Sequence, residues 1–307
     1  MADIRDIVQD TQTLATRDPA PLRERLLAIA GNSFATKWAD NPELQAVLGQ
    51  AYAEMQLIDK AIEAYTLALK AEQAQAPIRV IEQLANLVAR QAAIEKAKRG
   101  DPKKEINEAI ALLMGLPKLA DGGLTAERWS LLGSCSKGLA QVTSGDERIG
   151  ALKEMRRCYR EAFRRKEAGG KFDTCSLLNQ LLADTLLGQL GIAADDNEPR
   201  IDLDEGLLRA ENEAQTLDND DPNFWNGVAL ADVALGRALL LGQLDEKVRQ
   251  QVIEAYLRPW RRGASALQFS SVLEQMEFLI DILASHPALG GGIGAIAAQL
   301  RRATGVA

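Results

Sequence analysis

The chain has 307 residues with 36 Lys+Arg against 43 Asp+Glu, a net charge of -7. This acidic balance argues against non-specific nucleic-acid binding, which needs a basic surface. Hydrophobic residues make up 47% of it and aromatics only 5%; Ala, Leu, Glu, Gln, Arg and Lys dominate, and these helix formers argue against a sheet.

The N-terminus, Met1 to Asp6, is mixed in charge and lacks an apolar core, so it does not read as a signal peptide. From there prolines and glycines cut the sequence into stretches of helical length. Pro21, Pro42, Pro77, Pro102 and Pro222 each head a periodic apolar run, where proline's missing N–H costs nothing. Asn41-Pro42, Asp101-Pro102 and Asp221-Pro222 add cap-type residues. The spacing predicts helices near 3–16, 20–31, 42–55, 58–74, 77–98, 102–114, 124–142, 146–167, 172–190, 203–217, 222–241, 244–258, 264–285 and 292–303. The longest loops fall at 191–202 and 285–292. The most apolar stretch, Gly227 to Gly242, carries Asp232 and Arg237 and reaches only 16 residues, short of the roughly 20 that cross a membrane.

One stretch, Pro42 to Gln75, carries a repeat pattern. Leu48, Gly49 and Tyr52 lie in its first helix and Ala61, Tyr65 and Ala68 in its second. At these offsets the stretch resembles a tetratricopeptide (TPR) unit, a helix pair of about 34 residues. Gly49 and Ala61 are expected where the two helices cross, with Tyr52 and Tyr65 filling space toward neighbouring helices. A single unit cannot bury its own face, so further units are expected. Trp129, Leu132 and Gly133 look like a second start, with Tyr159, Ala162 and Phe163 about ten residues later than the standard format. Asp221 to Trp225 looks like a third start, again with a late partner, Ala255 and Tyr256. Over roughly 125–285 the longer pattern is similar to the TPR-rich regulatory region of apoptosis signal-regulating kinases, through Cys158 to Phe163, Phe172 to Gly188 with Asn179, and Asp221 to Trp225. Stand-alone bacterial modules share it. That resemblance implies an adaptor or regulatory scaffold without chemistry of its own, in bacteria often beside an effector such as a protease-like protein.

Candidates for chemistry are sparse. His286 is the single histidine, and in Ala284-Ser285-His286-Pro287 it is expected to satisfy a helix C-terminus rather than to serve a Cys-His pair. Cys135, Cys158 and Cys175 are odd in number, widely spaced and without C-x-x-C, which fits reduced, mostly buried thiols in the cytoplasm. Gly290-Gly291-Gly292-Ile293-Gly294 follows a helix rather than a strand and reads as a flexible joint, not a phosphate cradle. Acidic clusters occur at Asp195-Asp196 and Asp218 to Asp221; the second resembles part of a calcium loop but lacks its central glycine and closing glutamate, and Asp221 is expected to cap the helix at Pro222. Basic residues gather at Arg156 to Lys166, where Arg157, Arg160 and Arg164 share a face, and at Arg258, Arg261 and Arg262 beside Trp260. An arginine stripe suits acidic peptide, phosphate or RNA; Glu154 and Glu161 are also placed to pair with it. In the first repeat Ala46 and Gln50 stand where carboxylate-clamping TPR proteins carry Lys and Asn, so that clamp is not expected. Its groove residues are Glu43, Ala46, Gln50, Ala53 and Glu54.

The reading is an all-α, TPR-like α-solenoid of antiparallel helix pairs. Residues 1–120 hold the N-terminal helices with the well-formed repeat (42–75), and residues 121–307 hold divergent repeats continuous with them. The expected function is protein–protein interaction as a cytoplasmic adaptor, scaffold or regulatory subunit, with a concave helical surface offered to another protein. Glu43, Gln50, Glu54, Arg157, Arg160 and Arg164 are the candidate contacts. No enzyme activity, metal, cofactor or membrane contact is expected. The alternative is a nucleic-acid or nucleotide sensor using Arg156 to Arg165.

Overall fold

The computed structural model describes residues 5–6, 20–31, 40–71, 76–116, 124–192 and 202–306. Among these every regular element is helical: α1 Ala20–Gly31, α2 Pro42–Glu54, α3 Ile58–Lys70, α4 Ile78–Ile94, α5 Pro102–Gly115, α6 Ala126–Val142, α7 Gly145–Ala168, α8 Thr174–Gln189, α9 Leu203–Asp220, α10 Phe224–Leu240, α11 Glu246–Arg261, α12 Ala266–Ile282 and α13 Pro287–Thr304. A short 3-10 turn, Lys96–Lys98, follows α4. The helix expected at 3–16, the end of the one expected at 58–74, and the acidic pair Asp195-Asp196 lie largely or wholly outside the described residues.

The helices begin where side chains satisfy their first amide groups. The Asn41 side chain accepts from the Leu44 N–H at 2.9 Å, with Pro42 opening α2. Asp101 accepts from the Lys104 N–H at 2.9 Å ahead of Pro102. Each such cap contributes about 1 kcal/mol. Before α10 the expected cap is displaced. Asn223, not Asp221, accepts from the Asn226 N–H at 3.0 Å. Asp221 ends α9 instead, and its carboxylate accepts from the Asn223 side chain at 2.7 Å.

The chain divides into two compact units, Met1–Leu124 with Ser265–Leu267, and Thr125–Ala264 with Gln268–Ala307. In the first, α2 packs on α3, α3 on α4 and α4 on α5. Its core gathers Leu26, Leu44, Leu48, Tyr52, Tyr65 and Leu84. In the second, α6 packs on α7, α7 on α8, α8 on α9 and α10, α10 on α11, and α11 on α13. The core there is larger and runs through Leu152, Met155, Leu186, Val252, Tyr256, Phe269, Phe278 and Ile296.

The glycine-rich segment corrects the sequence reading. It is no joint: α13 starts at Pro287 and runs through Gly290, Gly291, Gly292 and Gly294. A Cβ on Gly290 would stand 2.9 Å from the Leu283 carbonyl oxygen, and one on Gly292 would stand 2.9 Å from the Leu244 side chain. Glycine is used here for close approach inside a helix. His286 is likewise displaced from its expected role, since it precedes α13 as the residue at its N-terminal boundary and its side chain makes no cap hydrogen bond there.

Candidate functional site

The framework of the helix pairs rests on a glycine facing an aromatic ring. A Cβ on Gly49 of α2 would lie 2.7 Å from the Tyr65 ring of α3. A Cβ on Gly133 of α6 would lie 2.8 Å from the Tyr159 ring of α7. Tyr65 therefore sits over Gly49 within its own pair rather than reaching toward a neighbour, and burial pushes its hydroxyl up to about 12. Leu48, Tyr52, Ala61 and Ala68 are buried around this crossing. In the pair of α10 and α11 a Cβ on Gly227 would lie 2.9 Å from the Pro259 side chain, so a proline takes the place of the aromatic ring. Trp225 does not join this framework: it is 53% exposed, and Phe224 beside it takes the buried place. Trp129 is half-buried under the Arg157 guanidinium, 4.8 Å from the ring centre.

The first helices of successive pairs in the second unit, α6, α8, α10 and α12, contribute to one cleft of about 410 Å³, to which α9 adds Leu207, Ala214 and Leu217. Ser130 of α6 and Ser176 of α8 are joined by a hydroxyl hydrogen bond of 2.9 Å, which ties two of these helices together. The exposed wall is mostly apolar, with leucines and valines prominent, and the exposed Trp225 is part of the lining. Amid them stand Lys137, Thr174, Cys175, Asn179, Asp232 and Gln275. Lys137 donates to the Gln275 side-chain carbonyl and lies 4.9 Å from the centre of the Phe278 ring. Asp232 accepts from the Tyr256 hydroxyl at 2.5 Å. Burial lowers the pKa of Lys137, while Asp232, Cys175 and Glu274 oppose that shift. Burial raises Asp232 to about 6 against the Tyr256 hydrogen bond and the Lys137 charge. Cys175 is open to the cleft, yet desolvation and the nearby Asp173 push its thiol up to about 11. From sequence Asp232 stands out as a charge inside an apolar stretch, Cys175 among the thiols and Asn179 within the resemblance, whereas Lys137, Thr174 and Gln275 are not singled out. The available signal was the same for Lys137, the one charged residue between Leu131 and Val142 of α6.

The predicted basic stripe is largely engaged. The Arg157 Nε donates to Glu154 at 2.8 Å, which raises the arginine pKa further. Arg164 pairs with Glu161 at 3.1 Å. Lys166 pairs with Glu127, and Arg156 is buried against Asp184 at 3.3 Å. The second cluster is engaged as well. Arg262 grips both oxygens of the buried Asp218, Arg258 stands 3.9 Å from the same carboxylate, and Arg261 pairs with Glu254 at 2.7 Å. Asp218 thus serves an ion pair between α9 and the end of α11. Cys135 and Cys158 are buried, and burial alone pushes the Cys135 thiol up to about 12. In the first unit Glu43 is exposed and Gln50 and Glu54 are half-buried on α2. Among the described residues no group of three or more His, Cys, Asp or Glu is placed to hold a metal ion, and no helix is long and apolar enough to cross a membrane.

A family model described as Tetratricopeptide Repeats-Sensor matches residues 57–181, which takes in α3 to α7 and the first half of α8. Over this stretch the chain is similar to TPR-type repeats, and the match supports a TPR-type protein. No curated protein and no solved structure matches it.

Proposed function

We propose that this chain is a protein–protein interaction module, an adaptor or regulatory subunit, and that it receives a segment of a partner protein in the groove of α6, α8, α10 and α12. TPR-type repeats generally mediate protein–protein interaction. The observation that carries the assignment to this groove is Trp225, a large ring 53% exposed on the lining of a mostly apolar cleft. Exposed tryptophans of this kind are common anchors in interfaces. The groove is built from helices packed on the unit's own core, so little ordering is required when a partner arrives. Glu43, Gln50 and Glu54 on α2 form a second, smaller surface for the same class of partner. The similarity of residues 125–285 to a kinase regulatory region favours a regulatory role, and the expected partner is an effector protein met in the cytoplasm.

The alternative, a nucleic-acid or nucleotide sensor at Arg156 to Arg165, has less support because Arg156, Arg157, Arg164 and Lys166 face carboxylates. Arg160 is engaged too. A photo-crosslinking amino acid placed at position 225, compared with one at the exposed Lys247 on α11, tests the main reading in the native host. One protein species captured from position 225 and not from 247 supports it. Equal capture from both positions, or RNA as the captured species, contradicts it.

A further inference from the structure

The cleft of the second unit holds two opposite charges that do not neutralise each other directly. Lys137 comes from α6 and Asp232 from α10, and both line the cavity. Each is tied to one neutral group, Lys137 to the Gln275 amide and Asp232 to the Tyr256 hydroxyl. Among the described residues no direct ion pair joins them. Separated charges in a water-poor site are costly unless each meets a complementary charge. The lowered ammonium and the raised carboxylate described above express that cost.

A third group points the same way. Thr174, at 8% exposure, lines the cleft, and its hydroxyl is buried without a hydrogen-bond partner among the described residues. Buried hydroxyls are nearly always satisfied, so an unpaired one held by a residue of the cavity wall adds unmet polarity beside the two charges. Around these groups the walls are apolar, with Leu178, Leu181 and Leu182 from α8 and Val228 and Leu235 from α10. The volume, about 410 Å³, is in the range of small-molecule sites.

We infer that this cleft binds a small zwitterion with an apolar body, an amino acid with a large apolar side chain, whose carboxylate meets Lys137 and whose ammonium meets Asp232. Charge decides the class. A polyanion would have one ammonium to bind and the Asp232 carboxylate to repel it. A simple cation would leave Asp232 satisfied and Lys137 repelling. A zwitterion satisfies both, and its side chain takes the leucine-lined wall. The inference goes beyond the partner-binding reading and does not depend on it, because it is measured on the purified chain alone.

The experiment is calorimetric titration of the full chain with phenylalanine, N-acetylphenylalanine and phenylalaninamide. The blocked forms also mimic a protein C-terminus and N-terminus, so they separate a free amino acid from the end of a partner chain. Phenylalanine is expected to bind, and each blocked form, which lacks one charge, to bind about tenfold or more weakly. Lys137→Met and Asp232→Asn should each impose a similar loss on phenylalanine, and Thr174→Val a smaller one. Should a variant fail to fold, the unmodified chain gives a second readout: phenylalanine slows maleimide labelling of Cys175, the cysteine open to the cleft, and the blocked forms do not. Absence of binding by phenylalanine and leucine at millimolar concentration, equal binding of the blocked forms, undiminished affinity in both charge variants, or unprotected Cys175 would each overturn the inference.

Discussion

Gly133 lies directly under the ring of Tyr159, where a single added carbon would come within 2.8 Å of it. The contact is with the ring body rather than a flexible tip, so the ring would have to move in a packed core. Gly133→Ala gains roughly 0.5–1 kcal/mol of helix propensity and loses about 1–3 kcal/mol to overpacking. A net fall in stability is expected, read as a lower Tm. A Tyr159→Leu background should remove most of the loss in a double-mutant cycle. The same sign is expected for Gly49→Ala against Tyr65. An unchanged Tm in both glycine variants would contradict the crossing geometry.

Ala61 of α3 is fully buried. Ala61→Arg forces a long charged side chain into that crossing, and such changes commonly cost several kcal/mol. The expected outcome is loss of the first unit's folded structure, visible as reduced helical circular dichroism. Retention of full ellipticity and Tm would sink the assigned register.

Asp218 is 3% exposed and is held by both terminal nitrogens of Arg262. Arg262→Ala leaves the buried carboxylate with only the longer 3.9 Å contact to Arg258 and should cost about 3 kcal/mol. Arg262→Ala combined with Asp218→Ala should cost less than Arg262→Ala alone. Arg261→Ala removes only a surface pair and should leave the denaturation midpoint unchanged. Chemical denaturation of the three variants checks the ranking; equal effects of Arg261→Ala and Arg262→Ala would refute it.

Asp232 supplies a pH test. Burial raises its pKa from 3.8 to about 6, so the folded state holds this proton more tightly than the unfolded chain. The linked stability is fully present below about pH 4 and is lost as pH rises through about 6. Asp232→Asn removes that dependence and keeps an acceptor for Tyr256. The variant should therefore be more stable than the parent at pH 8, by on the order of 1–3 kcal/mol, with the advantage shrinking toward pH 4. Melting curves across that range decide it, and a variant less stable at pH 8 would refute the assignment.

Much of the fold was legible because its signals are local. Asn41-Pro42 and Asp101-Pro102 mark helix starts through cap chemistry that needs no tertiary context. Gly49 was legible as a small residue at a helix crossing and Gly133 as the matching position of a second repeat start, although the facing rings had to come from the structure. Gly290 to Gly294 misled because low helix propensity was set against tight packing, and packing won. Trp225 misled by one position, since a helix turned by one residue exchanges a buried ring for an exposed one and Phe224 fits the core beside Phe269. The cleft was not legible. Lys137, Thr174, Asp232 and Gln275 span nearly half the chain, and only the stacking of four helices brings them to one cavity.

The central claim, that the groove of α6, α8, α10 and α12 is the recognition surface, is tested most directly by hydrogen–deuterium exchange of the full chain with and without the partner captured at position 225. Slower exchange is predicted at the groove-lining segments of α8 and α10, around Asn179 and Asp232, with α7, α11 and α13 unchanged. Protection confined to α7, α11 and α13, or to the first unit, would contradict it.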